Sequence, residues 1–245
     1  MVVRNRPRQQ CWQDAAGWPL GEIGLLRNAD SSLQQDGYAR GGETQHFPTL
    51  KWILALLICS IAVALAFIYL DVPIARRVNG LFGLTASLGK GLASGILLGI
   101  EAAVVLALVA IRIVRGRLSS TGEATGLACL TSIAAYAVSD STLKLLFGVP
   151  NPTAVLQGAR HAFHLLGGNS GNGFPSGHMV LAGAFAGVFI RLHRGSIVLF
   201  TALLLIAAAL LIVGDWHFVS DVIAGTFLGV SAGLLAGELW LAHSK

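Results

Sequence analysis

The chain has 245 residues, 54% of them hydrophobic and 12% charged, with a formal net charge of +5. Soluble domains carry about 25% charged residues, so this composition excludes an ordinary soluble globular protein. The charges fall between long apolar runs, which makes the positive balance a matter of membrane topology and argues against a nucleic-acid partner.

Residues 1–49 are polar, rich in Gly, Gln and Arg, and without hydrophobic period. That composition predicts a disordered tail. The next run, apolar, is too long for a signal-peptide core and reads as a retained anchor. Six apolar segments then succeed one another, at about residues 50–70, 91–111, 124–146, 175–190, 196–214 and 218–242. Residues 50–245 are therefore expected to form one membrane domain: all-α, polytopic, six transmembrane helices in one bundle. The fourth segment is short, so its start should lie at the membrane interface. Glycines recur at interval four in two segments, at Gly183 and Gly187 and from Gly225 through Gly229 and Gly233 to Gly237. Such spacing lets helix backbones approach closely in lipid.

Lys and Arg concentrate in the tail, after the second segment (Arg112, Arg115, Arg117) and after the fourth (Arg191, Arg194). Positive charge favours the cytoplasmic side, which places both termini there and turns residues 147–174 and the 214–217 junction outward. Arg76 and Arg77 run mildly against that orientation. His161, His164, His178 and His217 all fall on the outward side, in or beside two connections that can meet. Cys11, Cys59 and Cys129 form neither a disulfide framework nor a metal knuckle.

Three elements carry chemistry. In Phe174-Pro175-Ser176-Gly177-His178 a glycine-rich run leads into a helix start. Free backbone N–H groups and a partial positive charge there suit a phosphate. Ser176 offers a hydroxyl, Gly177 an unobstructed amide and His178 an imidazole. The alternative is a capped helix start with an interfacial histidine. In His217-Phe218-Val219-Ser220-Asp221 the histidine and aspartate lie at i and i+4, on one helical face. A carboxylate on one ring nitrogen fixes the tautomer and leaves the other nitrogen as nucleophile or base. An interfacial ion pair would satisfy the same spacing. Lys144 closes the third segment as a cation for the phosphate or as a snorkelling lysine; Asp140, at i−4, could compete for it.

These motifs resemble those of the type-2 phosphatidic acid phosphatase superfamily of membrane phosphatases. Pro175 to His178 is complete as its Pro-Ser-Gly-His motif, and His217 and Asp221 stand as its third. Lys144 opens the first, which ends at Asn151-Pro152 where the family has Arg-Pro. The Ser-Arg pair expected before His217 is Leu210-Leu211. The resemblance covers about residues 50–242. It implies that His217 attacks phosphorus and forms a phosphohistidine, that Asp221 orients it, and that His178 protonates the departing alkoxide. Lys144, Ser176 and Gly177 would hold the phosphoryl oxygens. Arg160, in the outward loop, is the candidate substitute for the displaced arginines, with His161 and His164 assisting. Asp215, beside His217, would repel a phosphate dianion or bind an amine headgroup.

The function expected is hydrolysis of a lipid phosphate or pyrophosphate: phosphatidic acid, an isoprenoid phosphate or a phosphorylated headgroup. The alternatives are a headgroup phosphotransferase using the same His, His, Asp set, and a catalytically weak lipid-binding member. No cofactor or metal is expected, and the partners are the bilayer and a membrane lipid. The third motif's form points to a bacterial inner membrane, with the site on its outer face.

Overall fold

The computed structural model describes residues 49–82, 90–169 and 171–244. The chain divides into two units, residues 1–51 and 52–245. The tail expected over residues 1–49 lies outside the described residues save for its last position.

Every regular element among the described residues is helical. In chain order they are α1 (Thr49–Tyr69), α2 (Asp71–Phe82), α3 (Lys90–Arg115) and α4 (Ser120–Val138). A π-helical turn (Ser139–Leu143) and the short α5 (Lys144–Phe147) continue α4. Then come α6 (Pro152–Leu156), α7 (Gly177–Leu192), a 3₁₀ turn (Arg194–Ser196), α8 (Ile197–Val213) and α9 (Val219–His243).

Each of the six apolar segments is helical, yet among the described residues four helices are long and apolar enough to cross a membrane. They are Thr49–Tyr69, Ser94–Arg115, Arg194–Val213 and Val219–His243. The other two differ for physical reasons. Helix α7 has 16 residues, about 24 Å of helix against a hydrocarbon core of about 30 Å. Helix α4 carries Thr121, Glu123, Thr125 and Ser132 among its apolar residues. Helix α7 is covered by protein along its length, whereas α4 buries one face and leaves Leu130 and Val138 exposed. The apolar faces of α1, α3 and α8 point outward instead, with Ile61, Ile100 and Leu205 well exposed.

The tightest packing joins α7 to α9, through the glycines. A Cβ added at Gly233 would lie 2.2 Å from the Ala184 carbonyl oxygen, and one at Gly229 would lie 2.5 Å from that of Val180. One at Gly183 would meet the Gly229 Cα at 3.2 Å. Any side chain here would force the backbones apart, which is the packing role expected of the interval. Polar ties reinforce the bundle. Ser132 on α4 lies 2.9 Å from Glu101 Oε1 on α3 and 3.0 Å from the Leu181 carbonyl on α7. Arg191 on α7 pairs with Glu238 on α9.

Helix α2 is not a span. It presents Arg76 and Arg77 to the outside and buries Asp71 and Ala75. Its two polar ends grip the α8–α9 junction. Asp71 Oδ1 accepts from the Ser220 N–H at 3.0 Å, and Asp71 Oδ2 accepts from the Ser220 hydroxyl. Asn79 Nδ2 donates to Asp215 Oδ2 at 3.2 Å.

Candidate active site

Four elements converge at one end of the bundle: the start of α3, the end of α4 with its π turn, the start of α7 and the α8–α9 junction. They enclose a cavity of about 380 Å³ whose lining includes Ser94, Tyr136, Lys144, Gly177, His178 and His217.

Asp221 is the third residue of α9 and is fully buried. Its Oδ2 accepts from the Phe218 N–H at 2.9 Å, satisfying one donor at the helix start. The same oxygen lies 3.4 Å from His217 Nδ1. The carboxylate is thus fixed by backbone before it meets the histidine, and it leaves His217 Nε2 turned toward the cavity. There His217 Nε2 meets His178 Nδ1 at 3.4 Å. The other His178 nitrogen, Nε2, lies 3.0 Å from Ser94 Oγ. Trp216 packs its ring beside His178, centroids 5.5 Å apart.

The two histidines are held together by their helix starts. The Ser176 N–H donates to the Asp221 carbonyl at 3.1 Å. A Cβ on Gly225 would sit 2.5 Å from the Ser176 carbonyl oxygen, so α7 and α9 begin side by side. Ser176 Oγ accepts from the Met179 N–H at 3.4 Å as the helix cap. Ser176 is fully buried and does not line the cavity. The hydroxyl expected to hold phosphate is turned to capping, a demand local sequence cannot separate from ligand binding. Gly177 does line the cavity, and a Cβ there would lie 2.8 Å from the Tyr136 ring.

Lys144 is 7% exposed and faces the cavity, so it does not snorkel. The π turn before it bonds Lys144 N to the Ser139 carbonyl, shifting the helical phase from Lys144 onward. Lys144 Nζ pairs with Asp140 Oδ1 at 2.7 Å, and Asp140 also lines the cavity. The glycine-rich loop then closes the helix end. His164, Leu166 and Gly168 donate backbone N–H groups to the carbonyls of Phe147, Leu146 and Leu145. Gly148 takes a left-handed conformation (φ 58°), and a Cβ there would lie 2.3 Å from the His164 carbonyl oxygen.

The positions where the family carries arginine are rebuilt. Asn151 lines the cavity, but its Oδ1 caps α6 at the Ala154 N–H (3.0 Å) and its Nδ2 donates to the Gly171 carbonyl (3.1 Å). Leu211 is buried in an apolar cluster with Met179 and Val222. Arg160 is exposed and does not line the cavity. His164 is likewise exposed. His161 turns the other way, 3.4 Å from Asp71 Oδ2 and stacked on Phe67. Asp215 is buried against Asn79 rather than open to the cavity. Among the described residues, no group of three or more His, Cys, Asp or Glu is arranged to hold a metal ion.

Residues 125–242 match the family model of the PAP2 superfamily. That match supports membership of the superfamily. The matched region runs from α4 to α9 and contains all three motifs. The match and the four apolar helices support an integral membrane protein with phosphoesterase or phosphotransferase chemistry. No curated protein and no solved structure matches the chain. Ser94, Asp71 and Asn79 lie outside the matched region. Sequence reasoning missed them, along with Tyr136 and Trp216, because single polar residues in or beside apolar helices carry no motif.

Proposed function

We propose that this protein is a membrane lipid-phosphate phosphatase that works through a phosphohistidine on His217. The observation that carries the reading is the ordered set Asp221–His217–His178 opening on a cavity that also receives Lys144 and Gly177. Asp221 holds the proton on His217 Nδ1, so the Nε2 lone pair is the nucleophile. Lys144 and the start of α7 balance charge on the phosphoryl oxygens. His178 supplies the proton that the leaving oxygen takes up, and later receives one from the water that releases phosphate. Substrates on this reading are phosphatidic acid, an isoprenoid phosphate or pyrophosphate, or a phosphorylated headgroup.

The bundle is read as six spans, with α7 crossing inside the bundle and α4 crossing beside it with one face toward lipid. Both termini then face the cytoplasm, and the cavity opens on the outer face of a bacterial inner membrane. A second reading has its own support: Asn151 and Leu211 are committed to the fold where the family has arginines. A site with less positive charge suits a phosphodiester better than a phosphomonoester dianion. The same residues would then transfer a phosphorylated headgroup to an alcohol. A weakly active lipid-binding member is the third possibility.

Purified protein in detergent, assayed for phosphate release from a panel of lipid phosphates beside His217→Ala, separates these readings. Release by the wild type and not by the mutant supports the phosphatase. Headgroup transfer to an added alcohol without phosphate release supports the second reading. Lipid binding with neither reaction leaves the third.

A further inference from the structure

An in-line displacement places the leaving oxygen across phosphorus from the attacking nitrogen. With reacting atoms about 3–3.5 Å apart, that oxygen lies roughly 5 Å from the nucleophile. His178 Nδ1 is 3.4 Å from His217 Nε2, on the nucleophile's side of such an arrangement. The other nitrogen of His178 is on the far edge of the ring, and it meets Ser94 Oγ at 3.0 Å. Ser94 comes from the start of α3 and lines the cavity. Tyr136 lines the same cavity from α4.

We propose that Ser94 is a proton relay, passing a proton from His178 Nε2 to the leaving oxygen of the bound phosphoester. The inference rests on the phosphohistidine reading above. In the first step His217 Nε2 forms a bond to phosphorus as the bond to the leaving oxygen breaks. That oxygen takes the Ser94 hydroxyl proton, and Ser94 regains one from protonated His178, which ends neutral. In the second step water attacks the phosphohistidine and its proton returns through Ser94 to His178. Phosphate leaves and His217 is restored.

Such a relay has a signature that a packing role lacks, because it matters only where the leaving group needs a proton. Two lipid phosphates of matched chain length serve as probes, one releasing a primary alcohol and one a phenol. Ser94→Ala is expected to slow the alkyl ester about 100-fold, the usual scale of general acid catalysis, and the aryl ester less than about 3-fold. Ser94→Thr, which keeps the hydroxyl, restores most of the alkyl rate. Equal losses on both esters, or no loss on the alkyl ester, overturn the relay. A wild type that cleaves the aryl ester more slowly than the alkyl ester overturns it too, since protonation would not limit the step. If the wild type cleaves neither ester, the phosphatase reading itself fails and takes the relay with it.

Discussion

Asp71 offers the sharpest test of how the site is held. Its carboxylate is 1% exposed and caps the catalytic helix from outside, taking the Ser220 N–H and hydroxyl while His161 lies 3.4 Å away. Asp71→Ala strands two buried donors at about 1–3 kcal/mol each. It also removes the anion facing His161. The two donors together make a loss of about 2–6 kcal/mol, which corresponds to a Tm lower by roughly 4–24 °C for a chain of this size. Asp71→Asn keeps one acceptor for the Ser220 N–H and should lose about half as much. The assay is thermal unfolding in detergent, with activity measured well below the transition. Because Ser220 stands between His217 and Asp221, the alanine variant should also lose turnover at temperatures where it is fully folded. A melting temperature within about 2 °C of wild type, with unchanged turnover, would refute the capping argument.

Other outcomes rest on the same geometry. Gly233→Val places side-chain atoms against the Ala184 carbonyl, where a Cβ alone would lie at 2.2 Å; it should lower expression and thermal stability far more than Gly195→Val, where nothing lies within 4 Å. Glu101→Gln should be tolerated within about 1 kcal/mol, because a hydroxyl carries one proton and Ser132 faces two acceptor oxygens. Giving that proton to the Leu181 carbonyl leaves position 101 to donate, as an amide can; Glu101→Ala should cost more in a thermal melt. Lys144→Ala should weaken inhibition by vanadate or inorganic phosphate at least about 10-fold, as expected for a charged contact worth about 1.5–3 kcal/mol. Arg160→Ala, outside the cavity, should change it no more than Arg76→Ala. In a cysteine-free background, an impermeant thiol reagent should label Asn169→Cys from outside the cell and spare Gly195→Cys; the reverse pattern would invert the topology.

Much of this was legible in the sequence, and the reason is local. Apolar runs mark helices because each side chain must face lipid or another helix, and the glycine interval in α7 and α9 marks their contact. Pro175 to His178 and His217 to Asp221 are short motifs whose spacing fixes their own geometry. The hidden part depends on distant pairs. Ser94 and His178 are 84 positions apart, and Asp71 and Ser220 are 149 apart. No periodicity links them. Six similar apolar runs also hid the difference between α7, sheathed in protein, and α8, exposed along its length. Ser176 shows the opposite limit: one hydroxyl satisfies two local rules, and only the fold shows that capping takes it.

The most direct test of the central claim is chemical trapping. Purified protein is mixed with a lipid phosphate labelled at phosphorus, quenched in alkali within the first turnovers, and digested for mapping. The account predicts an acid-labile, alkali-stable phosphoryl group on the peptide carrying His217, absent in His217→Ala. Turnover without label on that peptide, or label on another residue, would contradict it.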